Sequence, residues 1–342
     1  MTRLAAHEHP EISRPNHVDP HAVLSVFRVP KEMAGIRADV FMATQLKNTS
    51  RTRAKFIVGA AAYYVDGSRV KANDRLSAER LIALWRPPWD EVETDVHIPI
   101  LFEDPHLIVI NKPAGLPVHP SARYYRNTVI KVLERSHPSE HLVLAHRLDR
   151  DTSGVLVLAR TFEADRRIKR QFSNKTGVEK SYRALTWGAA KTDRFRVELP
   201  LERDPDSALR CSMRVALPGC GLHAATVVTV LARYRRDLRR YSLVQCDLET
   251  GRQHQIRVHL SSVGLPIVGD KIYGPSEQLH ARAADNELTA EDIENLELPR
   301  HALHAWRIRF AHPITDERLD LVAPMPADMQ TFAENLELDT AP

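Results

Sequence analysis

The sequence predicts an α+β protein: a domain built on a mostly antiparallel mixed sheet with flanking helices, preceded by a small α/β module. Three observations carry this expectation. Apolar runs rich in β-branched residues crowd the middle of the chain, and segments of helical spacing interrupt them irregularly, unlike the strand–helix alternation of a parallel series. A shorter basic segment with helical spacing and an Asp-Gly turn precedes them. The 342 residues, 43% hydrophobic and 27% charged, suffice for one large domain plus a small one, each with a core.

Taken in order, residues 1–26 hold His7, His9, His17 and His21 among prolines and polar residues without any period, and are expected to be a flexible tail. Residues 27–90 form the module. "ADVFMATQLKN" has helical character, Ser50 is placed to cap a second helix in "RTRAKFIVGAAA", and "YYVDGSRVKAND" carries the hairpin signal Asp66-Gly67. "RPPWDEVETD" (86–95) is polar and proline-bearing, as a linker would be. Residues 91–325 form the large domain, with strands expected in "HLIVINKP", "LVLAHRL", "GVLVLAR", "KSYRALTWG", "ATVVTVLARY" and "YSLVQCDLE". Helices are expected in "FEADRRIKRQFSN" and in "RQHQIRVHLSSVG", whose Gly264 suits a C-terminal cap. Residues 276–300 read as a polar, acidic insertion, loop or short helix, and 326–342 as a C-terminal tail.

Composition excludes several classes. No apolar run approaches the roughly 20 residues of a membrane helix, and the N-terminus lacks a signal core, which points to a cytoplasmic protein. Cys211, Cys220 and Cys246 form no CxxC pair and read as reduced and structural. His254 and His259 are five apart with no carboxylate between, the wrong pattern for a zinc pair, and no phosphate-loop or dinucleotide fingerprint appears, so neither a metal nor a nucleotide cofactor is expected. The net charge is only +4, yet residues 37–71 carry Arg37, Lys47, Arg51, Arg53, Lys55, Arg69 and Lys71 against Asp39 and Asp66. Such local excess is an electrostatic footprint for nucleic acid, although a decorated soluble surface has the same composition.

Chemistry concentrates at "HRLDRDTSGVLVLAR" (146–160), where five ionisable side chains open an apolar strand. Charge there is costly unless paired, exposed or used. Asp151, followed by Thr-Ser-Gly, suits a turn. Asp149 lies between Arg147 and Arg150, and arginines beside a carboxylate keep it ionised, as a nucleophile or general base needs. On a helix through "TGRQHQIRVHL", Gln253 and Arg257 share a face, with His254 nearby. Arg257 sits among Ile256, Val258 and Leu260, and a buried arginine needs an acid partner. Tyr182 in "EKSYRAL" has alternating neighbours, the pattern of a core or cross-strand tyrosine.

Two resemblances add to this reading. The module resembles the αL-type RNA-binding module first known from a ribosomal small-subunit protein, in which a basic helix start meets phosphates; Arg51, Arg53 and Lys55 match that pattern. The blocks "NKPAGLPVHP", "HRLDRDTSGVLVLAR", "KSYRAL", "ETGRQHQIRVHL", "PIVGDKIYG" and "LHAWRIRFAHP" resemble, in order and spacing, those of the RluA-type pseudouridine synthases over about residues 96–325. That resemblance implies conversion of chosen uridines in structured RNA, ribosomal or transfer, to pseudouridine, without cofactor or metal. It implies that Asp149 is the catalytic carboxylate, that Tyr182 packs on the target base, and that Arg257 pairs with Asp149. It further implies that Arg147 braces the everted nucleotide, beside His146. A monomer is expected. Two rival readings are a hydrolase of N-glycosidic bonds using Asp149 with Asp151, and a non-catalytic RNA-binding or ribosome-assembly protein.

Overall fold

The computed structural model describes residues 4, 12–20, 22–46, 49–86, 96–120, 124, 126–138, 142–174, 177–207, 211–274, 279, 282 and 288–339. Most of the expected linker, Lys47, and most of the His-rich N-terminus lie outside them. The chain divides into two compact units, Met1–Val92 and Glu93–Pro342.

In the first unit, β1 (Val23–Arg28), α1 (Ala38–Gln45), α2 (Arg51–Ala61), β2 (Ala62–Tyr64) and β3 (Leu81–Arg86) follow in order. The antiparallel sheet runs β1-β3-β2. Both expected helices form, and the Ser50 hydroxyl accepts the Arg53 amide as a cap should. Phe27, Phe41, Met42, Ala54, Val58 and Leu84 close the core between helices and sheet. The Asp66-Gly67 turn is tight, with Gly67 at φ 83°, but its far arm touches Tyr63 through a single bridge at Arg69. One expectation fails here: the flexible tail does not extend to residue 26, because β1 starts at Val23, and His17 reaches the Tyr63 hydroxyl at 2.8 Å. "LIALWR" becomes the central strand, because its apolar residues are buried between its two neighbours.

The second unit contains β4 (Ile100–Glu103), β5 (Leu107–Lys112), α3 (Val129–Ser136), β6 (Val143–Leu144), β7 (Ser153–Ala159), α4 (Phe162–Asn174) and β8 (Glu179–Trp187). Next come β9 (Arg194–Glu198), β10 (Leu201–Arg203), β11 (Met213–Val215), β12 (Ala225–Arg236), β13 (Arg239–Leu248) and α5 (Gln255–Ser262). The chain ends with α6 (Ala290–Leu296), β14 (Leu303–Ala311), β15 (Arg318–Val322), α7 (Ala327–Glu334) and β16 (Glu337–Leu338). Eleven strands form one sheet in the order β16-β12-β13-β8-β14-β7-β5-β4, with β15 on β14, β6 on β7 and β9 on β12. Among the described strands only β14 and β7 pair in parallel, so the expected α+β class holds.

The apolar run of β7 is buried along its whole length because both faces are covered. Leu156 and Leu158 enter one core layer with Ile108, Ile110 and Tyr182; Val155 and Val157 enter the other with Val109, Ile168 and Phe310. The C-terminal tail is a correction: Met329, Phe332, Ala333 and Leu336 have helical spacing and pack into the first layer, and β16 pairs with β12. The polar insertion holds a true helix, α6, started by a capping box of Thr289 and Asp292.

Candidate active site

Asp149 lies in the loop between β6 and β7, in a turn closed by the Thr152 amide on its carbonyl at 3.2 Å. Gly154 makes this approach possible. Its φ is +111°, and a Cβ there would stand 2.2 Å from the Ala305 carbonyl oxygen of β14. His304 pins the same pair of strands. Its Nε2 meets the Ala323 carbonyl at 3.1 Å and therefore carries the proton, so Nδ1 accepts from the Ser153 hydroxyl at 2.9 Å.

Arg257 reaches Asp149 from the first turn of α5, Nη1 to Oδ2 at 3.0 Å. Its Nε and Nη2 form a fork with Asp270 at 2.7 and 2.8 Å. Asp270 is fully buried, and its Oδ1 also accepts the amides of Ile272 and Tyr273 at 2.9 and 3.1 Å. Gly269 aims it from φ +75°; a Cβ at that position would lie 2.0 Å from the Arg300 carbonyl oxygen. Burial alone would raise the pKa of Asp270, but Arg257 outweighs it and holds the carboxyl far below the usual range.

Asp149 behaves likewise in direction. Burial pushes its pKa up, and His254 and Arg257 outweigh that and bring it below the ordinary value. Unlike Asp270, its side chain stays 32% exposed, so an ionised carboxylate faces solvent at one edge of a buried charge cluster. His254 Nε2 stands 3.8 Å from Asp149 Oδ2. The Tyr273 hydroxyl accepts the Met213 amide and is hydrogen-bonded to His254 Nδ1 at 2.7 Å. His301 bonds Thr152 Oγ1 at 2.8 Å, and burial lowers its pKa to about 4, so it is neutral at neutral pH. Tyr182, on β8, is 8% exposed; burial, then the nearby Asp149 charge, raises the pKa of its phenol, which stays protonated.

The structure thus gathers Asp149, Tyr182 and Arg257. It treats the other expected residues differently. Arg147 is exposed at the loop surface. His146 is turned away from the cluster: its Nε2 accepts the Val157 amide at 3.3 Å and its ring packs on Phe172, because an imidazole satisfies an open β7 amide there. Arg150 forks onto Asp151 at 2.8 and 3.1 Å and donates to Tyr124, so the arginines adjacent in sequence are not what grips Asp149. Gln253 precedes α5, which begins at Gln255 after a left-handed His254, so it shares no helical face with Arg257. Gly264 caps that helix as expected, at φ +78°. Arg51, Arg53 and Lys55 belong to the first unit, exposed on α2.

Three contributors went unassigned from the sequence. Asp270 had a signal, the buried acid a buried Arg257 requires. Lys112, at the end of β5, is fully buried and donates to the carbonyls of Pro113, Leu116 and Arg150, each at 2.8 Å, tying the 113–116 loop to the residue after Asp149. Arg300 forks onto Asp328 of α7 at 2.7 and 2.8 Å and donates to the Asp151 carbonyl at 3.2 Å. Among the described residues no cluster of three or more His, Cys, Asp or Glu side chains could hold a metal, and no helix is long and apolar enough to cross a membrane.

Known proteins resemble this chain along most of its length. Residues 106–262, which contain Asp149, Tyr182 and Arg257, match the family model described as RNA pseudouridylate synthase. The chain is 35% identical over 323 residues to ribosomal large subunit pseudouridine synthase D of Zymomonas mobilis, covering 90% of this chain and 95% of that one. It is also 35% identical to the protein of the same name from Nitrosomonas europaea, covering 90% and 86%. The solved structure of human RNA pseudouridylate synthase domain containing 4 superposes with a TM-score of 0.54 at 28% identity, over 71% of this chain and 95% of that one. With such identity along nearly the whole of its length, the chain belongs to the RluA-type family of RNA pseudouridine synthases.

Proposed function

We propose that this protein isomerises selected uridines of ribosomal RNA to pseudouridine, as a cytoplasmic monomer, with Asp149 as the catalytic carboxylate. One observation carries the reading: a partly exposed, ionised Asp149 is held by an arginine whose charge is already balanced by a second, buried carboxylate. The names of the relatives support the substrate class. A base inside a helix is out of reach, so the uridine has to leave the stack, at a cost of about a few kcal/mol. Arg147, exposed beside the site, braces the gap. Asp149 then adds to the nucleotide or takes a proton from the sugar, and both routes start from its ionised form. Tyr182 walls the pocket and packs on the detached uracil while it turns to rejoin the ribose through carbon 5. Isomerisation neither oxidises nor reduces the nucleotide, so no redox cofactor is required. The basic face of α2, through Arg51, Arg53 and Lys55, supplies affinity for phosphates.

A two-carboxylate hydrolase fits less well, because the Asp151 carboxylate is taken up on both oxygens by Arg150. The test is a pseudouridine map of ribosomal RNA after incubation with purified wild type or Asp149→Asn. A site formed only by the wild type, with RNA affinity kept in the variant, is the expected result. Turnover by Asp149→Asn would remove the carboxylate from the chemistry. Free uracil as product would make the enzyme a hydrolase, and binding without any turnover would make it a binding protein.

A further inference from the structure

The exposed face of α2 has a feature that phosphate binding does not use. Phe56 is 78% exposed, between Thr52, Lys55, Gly59 and Ala60, around an open hollow of about 470 Å³. Gly59 is mid-helix, where glycine is less favourable than alanine, and a Cβ there would meet nothing within 4 Å. The small residues therefore leave one flank of the ring clear. Arg69 edges the same face, its guanidinium donating to the Gly59 carbonyl at 3.1 Å. No acidic residue occurs in α2, and among the described residues neither Arg53 nor Lys55 has an ion-pair partner.

A lone exposed apolar residue is ordinary on a protein surface. Arg51, one turn back from Lys55, is taken up by Asp39 at 3.4 Å, but an aromatic ring with cleared space, flanked by cations that have no ion-pair partner among the described residues, matches an anionic ligand that carries flat apolar groups. We propose that Phe56 is a stacking platform for an unpaired nucleotide of the RNA, with Lys55 and Arg53 on its flanking phosphates. The inference deepens the proposed function: the first unit then selects a loop or a single-stranded stretch rather than any duplex. Every base offers a face to stack on, so the preference is for unpaired structure and not for sequence.

The experiment uses the full chain, a single-stranded RNA and a duplex RNA of equal phosphate number. Phe56→Ala should weaken the single strand about five- to 150-fold, the range of one lost base stack. The duplex should change by less than about twofold, the salt dependence should stay as in the wild type, and Phe56→Trp should restore binding. Equal affinities of Phe56→Ala and wild type for the single strand overturn the proposal. So does a wild-type dimer that Phe56→Ala converts to monomer with RNA binding unchanged, which would make the patch a self-contact. The triple variant Arg51→Gln, Arg53→Gln, Lys55→Gln separates the two readings. A flatter salt dependence there, with Phe56→Ala inert, rejects the platform alone; an unchanged salt dependence rejects the basic module itself.

Discussion

The Asp149 cluster and the outer face of α2 use charge in opposite ways. Around Asp149, charges are buried and matched: Arg257 serves two carboxylates, and Asp270 uses both oxygens on the guanidinium and two backbone amides. On α2, Arg53 and Lys55 stand in solvent with no acid partner among the described residues. Buried ions must be held in fixed geometry or they cost several kcal/mol. Exposed cations cost little, and they release their effect when a polyanion displaces counterions. The first arrangement suits a reactant held in one position; the second suits affinity that tolerates many poses.

The largest effect expected from breaking this contrast is at Asp270. Asp270→Asn leaves Arg257 buried with half its partners, and should cost about 3–5 kcal/mol of stability and most of the activity. Its sign with pH is fixed: a carboxylate whose folded pKa is depressed contributes stability above its unfolded value, near 4, and loses it as pH falls toward the folded value. Acid titration of unfolding should therefore be steeper below about pH 4 in the wild type than in Asp270→Asn. Equal slopes would mean Asp270 is not the counter-charge.

Lys112 tests how firmly geometry holds a proton. Burial pushes its pKa down to about 7, whereas three carbonyls at 2.8 Å suit the three N–H donors of an ammonium. If burial wins, the unfolded chain binds more protons between about pH 7 and 10. Stability should then rise with pH there by up to about 1.4 kcal/mol per unit, and the rise should vanish in Lys112→Met. Flat profiles in both proteins would show that the carbonyl cage keeps the ammonium charged.

Smaller effects belong to the exposed face. Removing Arg53 and Lys55 together should lower the slope of log affinity against log salt by about 1.4–1.8, with little change in the rate at saturating RNA. A change in that rate with no change in slope would place them in the catalytic step instead. Smallest is Ser50→Ala, which removes the α2 cap and should cost about 1 kcal/mol, measured by denaturant unfolding. No loss would mean the Arg53 amide finds water instead.

Much of the fold was legible because it rests on local rules. Ser50 announces α2, Asp66-Gly67 announces its turn, and the β-branched run of 153–159 announces a strand buried on both faces. Strand β14 was not legible, although it is central. Its sequence mixes His304, Trp306, Arg307 and Arg309 with apolar residues, and only its partners, β7, β8 and β15, explain where each one goes. Likewise His146 reads as part of a charged motif, yet its imidazole serves a backbone amide.

What the sequence determined by itself was the class of fold, the candidate carboxylate Asp149, the need of Arg257 for an acid partner, and the basic helix, since each shows in composition, spacing or a short motif; the part given to Tyr182 rests on the family resemblance alone. What only the tertiary structure decided was how the charges are shared. One guanidinium, Arg257, holds both Asp149 and the buried Asp270, while Arg150, next to Asp149 in sequence, turns to Asp151. Neighbours along an extended loop point apart, while a fork of buried hydrogen bonds forms only where separate strands and helices are packed close enough to aim both ends.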